Sequence, residues 1–193
     1  MTAPRILLLG EPALRAHATE VVDFASEGIQ GDFARLSEAL QAFRAQHGFG
    51  RAIAAPQIGV PRRMVALCVE GRTLAVANPE ITWRSEDTFT LWDDCMCFPG
   101  LLVRVRRHRS ISLRYQDERG ERSTWERLDP ATSELLQHEM DHLEGVLAID
   151  RAIDRESMVL REVFDAERAR FLGQVDLGDQ HGVHVRNLTR AHE

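Results

Sequence analysis

Apolar residues recur at steps of three and four in three stretches of the chain, and this is the period of a helix with one buried face. The first stretch, 24–47, is followed by Gly48, and a glycine typically stops a helix. Its apolar positions are Ile29, Phe33, Leu36, Leu40 and Phe43. The second begins at Asp129-Pro130, an N-cap and first-residue pair, and the third covers 153–171. The pattern predicts an N-terminal, a central and a C-terminal helix.

Between the first two helices the apolar residues cluster in short runs, which predict strands. The runs are 63–70, 73–77, 102–105, 110–115 and 123–128, with turns at Gly71 and at 117–120. Because strands and helices are segregated along the chain, we expect an α+β fold. Residues 1–171 should form one domain, and the polar, aperiodic residues 172–193 should form a C-terminal tail of unknown role.

Composition is that of an ordinary folded protein and argues against two function classes. Hydrophobic residues make up 44% and charged residues 28% of the 193 residues. The net charge of −6, with no long Lys/Arg block, argues against direct binding to nucleic acid. No apolar run suits a signal peptide or a membrane span, so we expect a cytoplasmic protein. The three cysteines have no disulfide-scaffold spacing, which fits a reducing compartment.

The central helix carries a metal-hydrolase pattern, His138-Glu139-Met140-Asp141-His142. Residues four apart lie on one face of a helix, so both imidazoles can bind one ion while Glu139 stays off the metal, beside a water molecule. Two histidines do not complete a catalytic site. The pattern therefore requires a third ligand from elsewhere in the chain.

Two other stretches offer suitable groups. The stretch 91–100 contains Cys95, and a Cys95, His138 and His142 set would leave a fourth position open for water, as in catalytic sites. If that segment is extended, alternation points Cys97 away from the metal. The stretch 48–59 is rich in small residues and contains Gln57, whose amide is a candidate hydrogen-bond donor.

Together these three stretches resemble the motifs of the peptide deformylases, which are GxGLAAPQ, EGCLS and QHExDHLxG. Here they stand as GRAIAAPQ from Gly50 to Gln57, as DDCMC at 93–97, and as QHEMDHLEG from Gln137 to Gly145, which is a full match. The EPALR sequence at 11–15 is similar to the family's DPxLR opening. The resemblance runs to about Phe171.

The resemblance implies mixed, mostly antiparallel sheets packed around a central HExxH helix. It implies a hydrolase that removes the N-formyl group from formylmethionine at the start of nascent polypeptides. One divalent ion per chain is implied, Fe(II) in the native enzyme, with Zn(II), Ni(II) and Co(II) as alternatives. By themselves, a thiolate and two imidazoles suit zinc and ferrous iron equally. The implied partners are N-formylmethionyl peptides or nascent chains, with the ribosome as a further candidate and no membrane.

The resemblance also implies a role for each site residue. The metal ligands would be Cys95, His138 and His142. The acid and base would be Glu139, and the oxyanion donors would be Gln57 and the Met96 backbone N–H. Asp93 and Arg107 would form a supporting ion pair. The residues expected to contact substrate are Gly50, Arg51, Ala52 and Leu135.

The chain departs from the family pattern mainly around the cysteine. Asp94 stands where the family has glycine, Cys97 where it has serine, and Leu102 where it has an arginine. Ala52 replaces the second glycine of the first motif. Asp94 could alter the local turn, raise the basicity of a metal-bound water or narrow the approach of the substrate, whereas Ala52 and Leu102 concern contacts with the peptide rather than the metal chemistry.

Three alternatives to deformylation stay open on the sequence. The first is hydrolysis of another small N-acyl group. The second is a non-catalytic metal-binding domain, although a closed structural site would need neither Glu139 nor Gln57. The third is a general HExxH peptidase, which would be expected to lack the cysteine ligand. Three tail histidines could also bind a metal, but termini are usually loosely held, which favours a solvated tail. They are His181, His184 and His192.

Overall fold

A long helix, α1 (Glu27–His47), packs against a five-stranded sheet in the computed structural model, which describes residues 3–69 and 71–176. Its buried face includes every position of the predicted apolar stripe. The helix ends at Gly48, whose φ of 74° is a left-handed conformation that glycine adopts easily. The N-terminal helix is confirmed, although it begins at Glu27 rather than at residue 24.

Among the residues that the structure describes, eight strands form two sheets. In chain order they are β1 (Ala52–Ala54), β2 (Met64–Val69), β3 (Arg72–Arg84), β4 (Thr88–Asp94), β5 (Leu101–His108), β6 (Ile111–Gln116), β7 (Arg122–Trp125) and β8 (Met158–Leu160). One sheet has the order β1-β2-β3-β6-β7 and the other β4-β5-β8. Every pair of these strands is antiparallel, and an isolated parallel bridge joins Thr19 to Arg62. The fold is α+β, as the sequence predicts.

The second helix, α2 (Pro130–Leu143), contacts β1 of one sheet and β5 of the other. The Asp129 carboxylate accepts hydrogen bonds from the N–H groups of Ala131 and Thr132, at 3.0 and 3.1 Å, which confirms the predicted N-cap. Residues 132–139 are all buried. A surface helix buries only one face, so burial around the whole circumference marks α2 as the centre of the domain.

The predicted C-terminal helix over 153–171 is wrong in its first part. The residues Met158–Leu160 form β8, which pairs with β5, and two short helices follow, α3 (Arg161–Ala166) and α4 (Arg168–Leu172). Backbone bonding to β5 competes with helix formation, and a turn directs the chain into the strand. In that turn the Ser157 hydroxyl donates to the Asp154 carboxylate at 2.7 Å.

The sequence pattern also missed β4 and the second half of β3. Along β4 the inward positions are Phe89, Leu91 and Asp93, so the buried carboxylate breaks the apolar alternation that identifies a strand. Asp93 is buried because it serves the site described below. The buried Asp93 therefore explains why the apolar pattern did not predict β4.

The N-terminal arm, residues 3–22, connects the segments around α2. It contains a 3₁₀ helix, Pro12–Arg15, within the EPALR sequence. The N–H of Leu7 donates to the Gln57 carbonyl at 2.8 Å, and that of Leu9 to the Cys97 carbonyl at 2.9 Å. The N–H of Ala18 donates to the Leu143 carbonyl, at the end of α2, at 2.8 Å. The arm thus fixes three segments that meet near the HExxH helix.

The predicted boundary between domain and tail at residue 171 stays a prediction. The last described residue, Asp176, still contacts the second sheet, because its carboxylate accepts a 2.9 Å hydrogen bond from the Thr90 N–H. The three tail histidines of the sequence prediction lie outside the described residues. No helix among the described residues is long and apolar enough to span a membrane.

Candidate metal and active site

The two histidines of α2 converge as their spacing predicts. Their Nε2 atoms lie 3.2 Å apart, and both side chains are buried. Glu139 is also buried, and its Oε2 atom has no hydrogen-bond partner among residues 3–69 and 71–176. Burial raises the pKa of Glu139 to about 7. An unpartnered buried carboxylate is costly for stability, which points to a role in binding or proton transfer.

Cys95 comes from the end of the three-stranded sheet and lies close to the histidine pair of α2. It directly follows β4, and its Sγ lies 3.3 Å from Nε2 of His142, although the two residues are 47 positions apart in the chain. Burial raises the pKa of the Cys95 thiol. The antiparallel β4–β5 hairpin and the contact of β5 with α2 bring the cysteine to the helix. Cys95, which the sequence predicts as the third donor, therefore lies next to His142, and its role as a ligand stays a prediction.

Asp93 orients His138 from behind. Nδ1 of His138 lies 3.0 Å from the Asp93 carboxylate. Nδ1 therefore carries the proton in the neutral ring, which leaves the Nε2 lone pair facing His142. Burial opposes charging of His138, but the carboxylate outweighs it and raises the pKa of His138 to about 9. The charged ring carries its second proton on Nε2. A metal ligand must give up that proton, so binding of an ion would release it.

Arg107 supports Asp93, as the sequence predicts. Its guanidinium lies 3.1 Å from Asp93 and 2.5 Å from Asp141, and its side chain is 4% exposed. Burial raises the pKa of Asp93, but His138 and Arg107 outweigh this effect and hold that pKa well below its usual range. Asp141, one of the two variable positions of the HExxH pattern, was not expected to take part. It also pairs with Arg151 at 2.8 Å.

Gln57 is fixed in one orientation. Its Oε1 accepts a 2.7 Å hydrogen bond from the Ala54 N–H, so the amide nitrogen must point the other way. That nitrogen donates towards the sulfurs of Cys95 and Cys97, at 3.8 and 3.5 Å. Gln57 is 1% exposed. The sequence predicted an amide donor here, and the structure aims that donor at the cysteines.

The predicted orientation of Cys97 is wrong. One donor atom each from Cys95, Cys97 and His142 lie within 4.8 Å of one another. Alternation holds only along an extended strand, and β4 ends at Asp94. The chain then turns, with the Phe98 N–H bonded to the Cys95 carbonyl at 3.1 Å, so both thiols face the same side. A hydrogen bond with Cys95 lowers the pKa of Cys97, although burial opposes this shift.

The donors fit a metal ion in number, type and spacing. In a tetrahedral zinc site, nitrogen and sulfur ligands lie roughly 3.3–3.8 Å from one another. The distances of 3.2 Å between the two Nε2 atoms and 3.3 Å from His142 to the Cys95 sulfur are close to this range. Burial and the neighbouring His138 lower the pKa of His142, so its Nε2 is available as a neutral ligand. These contacts therefore suit a metal ion, as the family implies.

The expected substrate contacts are placed near the site, but their role stays a prediction. At Gly50, a Cβ atom would lie 2.7 Å from the Met96 side chain, so glycine lets the two segments approach. The Arg51 side chain pairs with Glu134 of α2 and donates to the Ala131 carbonyl at 3.0 Å. The Arg51 guanidinium is therefore engaged within the protein, and the Arg51 carbonyl accepts a 2.8 Å hydrogen bond from the Cys68 N–H.

Ala52 and Leu135 are both buried in the same apolar cluster. Ala52 begins β1, which lies at one edge of the five-stranded sheet. An edge strand can pair with an added peptide strand, so a peptide contact along 50–52 is consistent with this position.

Two departures from the family pattern are explained by the C-terminal segment. Asp94 is the last residue of β4, and its φ is not in the left-handed region that favours glycine. Its carboxylate pairs with Arg161, the first residue of α3, at 2.8 Å. Leu102 is buried against Phe164 and Phe171 of the short helices. The residues after β8 therefore supply partners for both substituted positions.

Sequence reasoning missed two polar groups on α2 because they face protein rather than solvent. Glu134 neutralises Arg51. Gln137 joins α2 to the second sheet, because it accepts a 2.9 Å hydrogen bond from the His108 N–H and donates to the His108 carbonyl at 2.9 Å. Both are polar residues on a helix with an apolar stripe, and only burial distinguishes them from solvated ones.

A thiol and two helix-borne imidazoles around one ion position, beside a buried free carboxylate, define a metal-dependent hydrolase. Comparison with known proteins identifies the family. A family model described as polypeptide deformylase matches residues 3–158. The chain belongs to this family.

Individual relatives and structures agree with this assignment. A peptide deformylase of Thermotoga neapolitana is 35% identical over 158 residues, which cover 82% of this chain and 92% of the relative. One from Treponema pallidum (strain Nichols) is 36% identical over 143 residues, 74% of this chain and 84% of the relative. The crystal structure of the Thermotoga maritima peptide deformylase matches with a TM-score of 0.71 at 34% identity. The match covers 80% of this chain and 100% of that chain. A Synechococcus elongatus peptide deformylase in complex with actinonin has a TM-score of 0.73 at 27% identity, covering 86% and 87%.

Proposed function

We propose that this protein is an active peptide deformylase, which hydrolyses the formyl group from N-formylmethionine at the start of nascent polypeptides. One observation carries the proposal: Glu139 has a free, buried carboxylate oxygen beside converging histidine and cysteine donors. A structural metal site has no need of such a group. Family membership supplies the substrate class.

Cys95, His138 and His142 would hold the ion. When bound, it supplies Lewis acidity, which polarises a carbonyl and makes water a nucleophile at neutral pH. Asp93 keeps His138 oriented for this ligation through the 3.0 Å contact with Nδ1. Two contacts support these three ligands, because Nε2 of His142 lies 3.3 Å from the Cys95 sulfur and 3.2 Å from Nε2 of His138.

Glu139 would act as the general base that takes the proton from the attacking water, and then deliver it to the leaving amine. The amide nitrogen of Gln57 would donate to the oxyanion of the tetrahedral intermediate, together with the Met96 N–H. The 2.7 Å bond between Gln57 Oε1 and Ala54 holds that donor ready before substrate arrives. A fixed donor of this kind costs no reorganisation during the reaction.

The peptide part of the substrate would lie along β1. The edge position of β1 leaves it able to pair with an extended chain, and Gly50, Arg51 and Ala52 would provide that contact with Leu135 nearby. Asp94, which pairs with Arg161, differs from the family pattern and favours a second candidate function. This is hydrolysis of another small N-acyl group at the same metal centre.

We further propose that the native ion is Fe(II), with Zn(II), Ni(II) or Co(II) as substitutes, because thiolate and imidazole ligands suit all of them and the family favours iron. A nascent-chain substrate places the enzyme in the cytoplasm, close to the ribosome. The three free cysteines are consistent with that reducing compartment.

The decisive experiment is formate release from a formyl-Met-Ala-Ser peptide by protein loaded anaerobically with Fe(II). Glu139→Gln should lower kcat by roughly 10²–10⁴-fold, the usual contribution of a general base, while its metal content stays the same. Glu80→Gln is a matched control, since Glu80 is 60% exposed in an ion pair of the first sheet, and it should retain full activity.

No formate from wild-type protein that holds one ion per chain would refute deformylation. An acetyl-Met-Ala-Ser peptide tested in parallel would then examine the second candidate. Equal activity of wild type and Glu139→Gln would refute the assigned role of Glu139.

A further inference from the structure

Cys97 is a second thiol at the metal site, and the roles proposed above do not use it. It is 1% exposed, and its sulfur belongs to the group of donors from Cys95 and His142 that lie within 4.8 Å of one another. A buried thiol in an apolar core has no polar contact to make. Here the Gln57 amide nitrogen donates to the Cys97 sulfur at 3.5 Å, so this sulfur is held in the polar centre of the site.

The backbone fixes this arrangement. The Cys97 carbonyl accepts a 2.9 Å hydrogen bond from the Leu9 N–H of the N-terminal arm, and the Cys97 N–H lies 3.4 Å from the Cys95 sulfur. Both ends of the residue are therefore anchored, and its side chain is directed to the same side as Cys95. Two cysteines separated by one residue can then bind the same ion from one turn of chain.

We propose that Cys97 is a further metal ligand, which gives this chain a site with two sulfur and two nitrogen donors and a higher affinity for thiophilic ions such as Zn(II) than a site with one sulfur has. Thiolates select such ions, and a set of two cysteines and two histidines is a common tetrahedral zinc site. Catalytic zinc can expand to five-coordinate, so ligation by Cys97 is compatible with hydrolysis. The proposal rests on the metal site of the proposed function but not on its substrate.

Cobalt spectroscopy tests this ligation without any catalytic assay. Metal-free protein, kept reduced and anaerobic, is loaded with one Co(II) per chain, and the near-ultraviolet sulfur-to-cobalt absorption is measured. The intensity per bound ion should fall to about half in Cys97→Ser. Cys68→Ser is the matched control, because Cys68 is a buried cysteine of the α1 core cluster, and its intensity should not change.

Zinc affinity gives a second readout. Groups that only support a ligand change metal affinity about 10–100-fold, so the loss of a ligand should raise the zinc Kd by at least about tenfold. Competition with a chromophoric chelator measures this change in Cys97→Ser and in Cys68→Ser, which should keep the wild-type Kd.

X-ray absorption of the wild-type zinc protein covers the case in which Cys97→Ser does not fold. Two sulfur scatterers at about 2.3 Å are expected. One sulfur scatterer, or wild-type cobalt absorption in Cys97→Ser, would overturn the proposal and leave deformylation untouched. Two sulfurs in a protein that releases no formate would keep the ligation and refute only the proposed activity.

Discussion

At the scale of single residues, Asp93 is the group on which the site depends most. It contacts His138 at 3.0 Å and Arg107 at 3.1 Å, and it is buried with both of them. Removal of one partner from a buried ion pair leaves an uncompensated charge, which costs more than the pair contributes. Asp93 thus links the orientation of a ligand to the stability of the domain.

Asp93→Asn should lower the free energy of unfolding of the metal-free protein by about 3 kcal/mol, at the lower end for a broken buried pair, because Arg107 keeps Asp141. It should also weaken metal binding about 10–100-fold, since His138 loses its acceptor. Urea unfolding and chelator competition measure the two effects. Glu80→Gln, in an exposed pair with Arg114, should change stability by less than about 1 kcal/mol. Equal effects of the two substitutions would contradict this assignment.

At the scale of secondary structure elements, the segment from β8 to α4 forms a small cluster of its own. Phe164 and Phe171 stack with ring centroids 5.5 Å apart and pack against Leu102 and Trp92. The indole N–H of Trp92 donates to the Phe171 carbonyl at 2.9 Å. The cluster lies on the outer side of the second sheet and is separate from the core around α2.

Phe164→Ala should therefore loosen this segment before the rest of the domain. Truncation of a buried phenylalanine costs about 3–5 kcal/mol. Hydrogen exchange should accelerate in residues 158–172, while protection of α2 stays close to wild type, since local units open independently. Val163→Ala is the control, as Val163 is 39% exposed and should shift stability by no more than about 0.5 kcal/mol. A uniform acceleration across α2 and 158–172 would show that they unfold together.

At the scale of the whole molecule, the N-terminal arm joins segments that are distant in the chain. Arg15 donates to the Asp150 carboxylate, and the Ala18 N–H bonds to the end of α2. Gly145 lies at the crossing point, with a φ of 69°. A Cβ atom there would be 2.4 Å from the Arg15 carbonyl oxygen, so only glycine lets the arm pass α2.

Gly145→Ala and Gly48→Ala separate this close approach from backbone strain. Both glycines follow a helix, with φ of 69° and 74°, but a Cβ at Gly48 would meet nothing within 4 Å. Left-handed φ alone costs a residue with a side chain about 1–2 kcal/mol, which is the loss expected at Gly48. Overpacking should add about 1–3 kcal/mol at Gly145. Thermal or urea unfolding measures the stability of both variants. Equal losses of stability would show that the N-terminal arm moves away from the added Cβ at residue 145 without a free-energy cost.

Features that depend on short stretches of chain could be predicted from the sequence. Residues four apart share a helix face, so His138 and His142 were predicted to converge, and the N-cap at Asp129 follows from local backbone geometry. The strand and helix runs gave the α+β class. The family motifs named the residues of the candidate site, but their catalytic roles await the experiments above.

Only the tertiary structure decided what depends on distant partners. β8 exists because the edge of β5 is available to it, and periodicity alone predicted a helix there. Cys97 faces the site because β4 ends before it, and the buried Asp93 disguised that strand. The sequence by itself determined which groups could bind a metal, since this follows from their chemistry and local spacing. Which of them meet is determined by the packing of α2 against both sheets.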